Sequence, residues 1–181
     1  MLPAIFLDRD GVIIENRDEY VRSWEDVTLI PGALEALALA SRGQWKLVII
    51  SNQAGIGKGL ISPSTAQEIN RRLVDLIHQH HGRIDGVYIC PHTDRDGCDC
   101  RKPRPGLILR AVHDLNIDLS ASLLIGDALT DIQAGQSAGL HRQILVQTGR
   151  GAEQSLLPQA NLLQPFDTFP DLHAAIAKLT R

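Results

Sequence analysis

Unalternating apolar runs recur along the chain, and each ends on polar or glycine-rich residues. The first is Ala4-Ile5-Phe6-Leu7, which runs into Asp8-Arg9-Asp10-Gly11. Lys46 to Ser51 (KLVIIS), Gly86 to Cys90 (GVYIC), Ser122 to Ile125 (SLLI) and Gln143 to Val146 (QILV) follow. Short runs of this kind suit strands covered on both faces, as in a parallel sheet. Between them the spacing becomes helical. Pro31-Gly32 opens a helix through Leu34, Leu37 and Ala38 that Gly43 ends. Ser62 caps a longer one, with Pro63 in its first turn and Ala66, Ile69, Leu73, Leu76 and Ile77 on one face to about His81. Pro105-Gly106 opens a helix carrying Leu107, Ile108, Ala111, Val112 and Leu115. Another runs from about Thr130 to Ala138, and a last one near Leu172–Leu179 packs on the outside. Strands alternating with helices through right-handed crossovers predict an α/β fold with a doubly wound parallel sheet flanked by helices. No connection has room for an inserted second domain, so residues 1–181 read as one domain.

Composition narrows the class more than the fold. The chain is 44% apolar and 22% charged, as soluble globular proteins are. Its net charge of −3, without a long run of one sign, argues against a nucleic-acid partner. No apolar run is long enough to span a bilayer and no secretory pattern opens the chain, so a cytoplasmic protein without a membrane partner is expected. No heptad pattern is present, and a monomer is the default. The three cysteines are too few for a disulfide framework and all lie between positions 90 and 100.

The chemistry sits where the strands end. Ligands of open parallel sheets bind beyond the carboxyl ends of the strands. Asp8 and Asp10 lie at the first such end, Ser51 and Asn52 at the second, and Asp127 with Asp131 at the fourth. The loop after the third carries Arg101-Lys102. Two carboxylates two residues apart repel one another unless a cation lies between them or one is protonated. The same stretch also reads as a strand followed by a polar Asp-Gly turn, and Asp131 as an ordinary helix-start carboxylate. Taken together, a hydroxyl, a lysine and several aspartates in one crevice suit Mg²⁺ and phosphate. Cys90-x-His92 followed by Cys98-x-Cys100 has the ligand set of a closed, structural tetrahedral zinc site. The glycine-rich run 52–59 lacks the spacing of a nucleotide-binding P-loop and reads as a substrate loop.

Asp8-Arg9-Asp10-Gly11-Val12, Ser51-Asn52-Gln53, Lys102 within Cys-Arg-Lys-Pro, and Gly126-Asp127-Ala128-Leu129-Thr130-Asp131 resemble the four ordered motifs of the haloacid dehalogenase-like (HAD-like) hydrolases. The resemblance covers residues 4 to about 150. Val12 and Ser51 stand where threonine is common, and neither removes a required group. Within that family the cysteine loop, the run 101–106 and the loop 52–59 resemble the capless branch that acts on sugar bisphosphates. The resemblance implies a Rossmann-like core without a cap domain, and a Mg²⁺-dependent phosphatase that removes the C7 phosphate of a heptose bisphosphate in heptose biosynthesis. It implies Asp8 as nucleophile and Asp10 as general acid and base. It implies Mg²⁺ on the Asp8 carboxylate, the Asp10 carbonyl and Asp127. Ser51, Asn52, Arg101 and Lys102 are implied at the phosphate and substrate, with Asp131 orienting Lys102 or a metal-bound water. Arg17, Lys58, Arg101 and Arg104 are candidate cations for a second phosphate. Histidinol-phosphate phosphatases share the capless core and the zinc loop and remain the enzyme alternative. A nucleic-acid 3′-phosphatase fits the charge poorly, and a non-enzymatic phospho-acceptor leaves the second aspartate of the Asp8/Asp10 pair without a task.

Overall fold

The computed structural model describes residues 1–180. Its elements in chain order are β1 (Ala4–Leu7), α1 (Ala33–Ala40), β2 (Lys46–Asn52), α2 (Ala54–Gly57), α3 (Pro63–Gln79), β3 (Gly86–Cys90), α4 (Gly106–Leu115), β4 (Leu123–Gly126), α5 (Leu129–Ala138), β5 (Arg142–Val146), α6 (Gly151–Gln154), β6 (Asp167–Phe169) and α7 (Leu172–Leu179). The six strands form one sheet in the order β3-β2-β1-β4-β5-β6. Every pairing is parallel, with Phe6 opposite Val48 on one side and Leu124 on the other. This is the doubly wound sheet that the alternation of apolar runs predicts. The strand order reverses between β1 and β4, which opens the crevice used for ligands in such sheets.

Alternate side chains of each strand feed two cores, because neighbouring residues on a strand point to opposite faces. Ile5, Leu7, Leu47, Ile49, Ile125 and Ile144 pack with α1, α3 and α7. Ala4, Phe6, Val48, Ile50 and Leu124 pack with α4 and α5. Both sides are apolar, which is why the strands read as unbroken rather than alternating runs. Ser62 caps α3 as its sequence predicts, its side chain accepting from the Thr65 amide at 3.0 Å with Pro63 in the first turn. The terminal helix α7 lies on the α1 face, with Leu172, Ala175 and Ile176 buried.

Two elements depart from the sequence-based expectation. The glycine-rich run 52–59 is not loop throughout: Ala54–Gly57 makes one helical turn. It is stitched to the cysteine loop by Gln53 N–H to Cys90 O at 2.8 Å and Gly57 N–H to Pro91 O at 2.8 Å. A Cβ on Gly57 would lie 2.7 Å from that same Pro91 oxygen, so glycine is required by the close approach. The sixth strand also goes unannounced. Asp167-Thr168-Phe169 has a single apolar residue and pairs only at the sheet edge, where a 2.5 Å contact from Arg142 Nε to Asp167 Oδ2 reinforces it. No helix among the described residues is long and apolar enough to cross a membrane.

Leu37 of α1 is fully buried in the core and does not line the strand-end cleft. Leu37→Ala is expected to lower the free energy of unfolding by about 2–5 kcal/mol. Denaturant unfolding measures this, and the variant's folded fraction is expected to keep its catalytic rate.

Candidate active site

The carboxyl ends of β1, β2 and β4 and the loop after β3 line a cleft of about 580 Å³. Asp8 is the first residue past β1, and its amide continues the sheet by donating to Ile125 O at 3.0 Å. Lys102 reaches in from the loop between β3 and α4 and is 4% exposed. Its ammonium lies 3.0 Å from Asp8 Oδ1 and 2.6 Å from Asp131 Oδ1, and donates to Ile50 O at 3.1 Å. An ammonium has three protons, so Lys102 is fully satisfied although it is buried. Asn52 fixes its main chain from β2: the side-chain amide donates to Lys102 O at 3.0 Å and the side-chain carbonyl accepts from Lys102 N–H at 3.1 Å.

Asp10 faces a different partner. The buried guanidinium of Arg9 grips its carboxylate through Nε to Oδ2 and Nη2 to Oδ1, both at 3.1 Å. Arg9 also donates to Asn70 Oδ1 of α3 at 2.8 Å, and Gln53 donates to that same oxygen at 3.3 Å. The Ser51 hydroxyl donates to Asp10 Oδ2 at 3.3 Å. Asp8 and Asp10 thus share the cleft wall but belong to separate networks.

Asp127 follows β4 and is fully buried. Its Oδ2 accepts from Asn16 Nδ2 at 2.6 Å and from the Arg150 amide at 2.9 Å, while its Oδ1 has no partner. Helix α5 begins between Asp127 and Asp131, and Asp131 Oδ2 accepts from the Ala128 amide at 3.0 Å. One carboxylate oxygen each from Asp8, Asp127 and Asp131 lies within 4.8 Å of the others. Burial pushes the Asp8 carboxyl up to about 8, with Lys102 opposing and the charges of Asp131, Asp127 and Asp10 adding to the rise. Burial, then Asp131, also raises Asp127. Burial works against the Lys102 charge, yet Asp131 and Asp8 outweigh it and hold the ammonium above its ordinary value. The two partners move the same way because several buried carboxylates face one ammonium. An orphaned oxygen among oxygen donors fits a hard divalent cation such as Mg²⁺.

The four sulfur and nitrogen groups also converge. Cys90 Sγ is 3.1 Å from Cys100 Sγ and 3.6 Å from both Cys98 Sγ and His92 Nδ1. Cys100 Sγ is 3.4 Å from Cys98 Sγ and 3.3 Å from His92 Nδ1. A tetrahedron with metal–sulfur bonds of about 2.3 Å has edges of about 3.8 Å. The cluster is therefore slightly tighter than a zinc shell and matches its shape, and none of the cysteines is in a disulfide.

Arg101 and Arg17 line the cleft. Arg101 Nε contacts Asp94 Oδ1 at 2.5 Å and Nη1 donates to His92 O at 3.4 Å. Arg104 is turned away, donating to Cys98 O within the cysteine loop, and Lys58 donates to the Tyr20 hydroxyl at 2.6 Å. Four participants escape the sequence reading: Arg9, Asn16, Asn70 and Arg150. Arg9 and Asn70 left a signal, since an arginine between two motif aspartates and an asparagine on the apolar face of α3 both need buried partners.

A family model described as HAD-hydrolase-like matches residues 99–175. The D-glycero-beta-D-manno-heptose-1,7-bisphosphate 7-phosphatase of Neisseria meningitidis is 36% identical over 174 residues, covering 94% of this chain and 92% of that protein. The chain belongs to the haloacid dehalogenase-like hydrolases. It is an enzyme of that family, a phosphoric monoester hydrolase. The D-glycero-D-manno-heptose-1,7-bisphosphate 7-phosphatase of Chlorobaculum tepidum is 39% identical to this hydrolase over 185 residues, covering 96% of the chain and 92% of that protein. Among solved structures, the D,D-heptose 1,7-bisphosphate phosphatase of Bordetella bronchiseptica, complexed with magnesium and phosphate, superposes with a TM-score of 0.92 at 35% identity, covering 98% of both chains.

Asn52 makes two hydrogen bonds to the main chain of Lys102 from a half-buried position. Asn52→Ala is expected to lower kcat/KM for phosphate release by about 10- to 100-fold, as for other losses of residues that orient a catalytic group. Steady-state kinetics measures it, and unchanged kinetics would remove Asn52 from the site.

Proposed function

We propose that this hydrolase is a single capless domain that removes the C7 phosphate of D-glycero-D-manno-heptose 1,7-bisphosphate with Mg²⁺. The observation that carries the reading is the buried Asp8–Lys102–Asp131 arrangement beside the orphaned Asp127 oxygen, in a chain with heptose bisphosphate phosphatase relatives along its length. Asp8 is the nucleophile: its carboxylate oxygen bonds to phosphorus while the bond from phosphorus to the sugar O7 breaks. Asp10 gives O7 its proton. In the second half Asp10 takes a proton from water as the water oxygen bonds to phosphorus. The bond from phosphorus to the Asp8 oxygen then breaks, which returns the Asp8 carboxylate and releases inorganic phosphate.

Lys102 and Ser51 bind the equatorial oxygens of the transferring group, and Asn52 and Asp131 hold Lys102 for that task. Asp8, Asp127 and the Asp10 carbonyl would hold Mg²⁺, which would supply positive charge against the transferring group. Arg101, Arg17 and Arg150 are the cleft cations available to a second phosphate. The names of the relatives mostly specify the β anomer, and this supports it as the preferred substrate here. Zinc on Cys90, His92, Cys98 and Cys100 is structural, because its four positions are all filled by protein.

Phosphate release with Mg²⁺ from both anomers of the heptose bisphosphate and from histidinol phosphate tests the substrate. A higher kcat/KM for the β-heptose is expected, and Asp8→Asn is expected to abolish turnover while remaining folded by circular dichroism. Preference for histidinol phosphate would overturn the substrate, and turnover by Asp8→Asn would overturn the mechanism.

Elemental analysis is expected to find about one zinc per chain. Cys100→Ser is expected to lose it, with faster amide exchange confined to residues 90–104. An unchanged zinc content would remove Cys100 from the site.

A further inference from the structure

The two oxygens of Asp127 are treated very differently. Oδ2 is closed off by Asn16 Nδ2 at 2.6 Å, the Arg150 amide at 2.9 Å and Arg150 Nε at 3.5 Å. Oδ1 is buried and has no hydrogen-bond partner. The carboxylate only accepts, so the Asn16 nitrogen must be the atom that faces it. Two glycines make this approach possible. A Cβ on Gly11, whose φ is +82°, would lie 2.1 Å from Asp127 Oδ2 and 2.7 Å from Asn16 Nδ2. A Cβ on Gly149, at φ +57°, would lie 2.4 Å and 2.6 Å from the same atoms. Thr148, next to Gly149, is tied to the Gly11 carbonyl by a 2.7 Å hydrogen bond, so both glycines are held against the pair.

We infer that Asn16 is a positioning residue for metal selectivity: it occupies Asp127 Oδ2, limits the carboxylate to one coordinating oxygen, and so favours Mg²⁺ over Ca²⁺. This rests on the proposed Mg²⁺ site. The physical basis is the different demand of the two ions. Ca²⁺ takes six to eight oxygens at longer distances and readily uses carboxylates in bidentate fashion, whereas Mg²⁺ needs a compact octahedron with single oxygens. A carboxylate with one oxygen saturated by donors serves the second ion and fails the first. Asn16 is half-buried in a surface connection, so a smaller side chain there leaves the sheet untouched.

Isothermal titration calorimetry of the zinc-loaded protein with Mg²⁺ and Ca²⁺ tests this without turnover. The parent is expected to bind Mg²⁺ in preference, and Asp127→Asn to lose the binding. Asn16→Ala is expected to shift the ratio of the two dissociation constants towards Ca²⁺ by about tenfold, the lower end of effects seen when residues supporting a metal ligand are changed. Asn16→Leu, similar in volume but without the donor, is expected to shift it the same way. If either variant weakens both ions equally or leaves the ratio unchanged, Asn16 has no role in selectivity and the inference falls while the Mg²⁺ site stands. If the parent binds no Mg²⁺, or Asp127→Asn binds it normally, the site itself and the inference both fall.

Discussion

The structure depends on how a cluster of buried carboxylates is kept from repelling itself apart. Asp8, Asp127 and Asp131 are each at most 6% exposed, and Lys102 is the buried ammonium among them. Removing one partner of a buried pair typically costs about 3–5 kcal/mol, because the other charge is left uncompensated. Lys102 spends its three protons on Asp8, Asp131 and the Ile50 carbonyl, which leaves Asp127 Oδ1 unserved. Burial raises Asp8 to about 8, and the charges of Asp131, Asp127 and Asp10 add to the rise against the opposing Lys102. Under the proposed function, a divalent cation would complete the balance, and the negative charge of a phosphoryl group would be met by the cation and Lys102 together.

Rigid elements carry that arrangement. Asp8 and Asp127 extend adjacent strands β1 and β4, and Asp131 stands in the first turn of α5, so their separations are set by sheet pairing. Lys102 is the exception, since it comes from a long loop. It is held there from two sides. Asn52 pins its main chain, and the cysteine cluster closes residues 90–100 immediately before it. The close approach at Gly57 fastens that loop to α2 in turn. A loop stiffened at several points takes the place of an inserted domain in shaping the cleft.

The fold was legible because burial on both faces writes itself into the strands as continuous apolar runs. Asp167–Phe169 escaped for the opposite reason: an edge strand of three residues needs no such run. The turn at Ala54–Gly57 escaped because Gly57 answers a tertiary contact, the Pro91 carbonyl, that local spacing does not reveal. In the site, residues whose chemistry is unusual for their position were readable, as two aspartates at a strand end and three cysteines in eleven residues are. Asn16 and Arg150 were not. Asn16 lies in a polar connection, and Arg150 acts through its main-chain amide as well as its side chain, a contribution that no residue type signals.

The two clusters of ligating groups, one in the loop after β3 and one at the ends of β1 and β4, differ in chemistry. Three thiols and an imidazole offer soft donors at a spacing near a zinc tetrahedron, whereas the strand ends offer carboxylate oxygen alone. Arg101 links the regions, contacting the His92 carbonyl in the cysteine loop and facing the cleft. Opening of the cysteine cluster would therefore act on the cleft through the loop that carries Arg101 and Lys102.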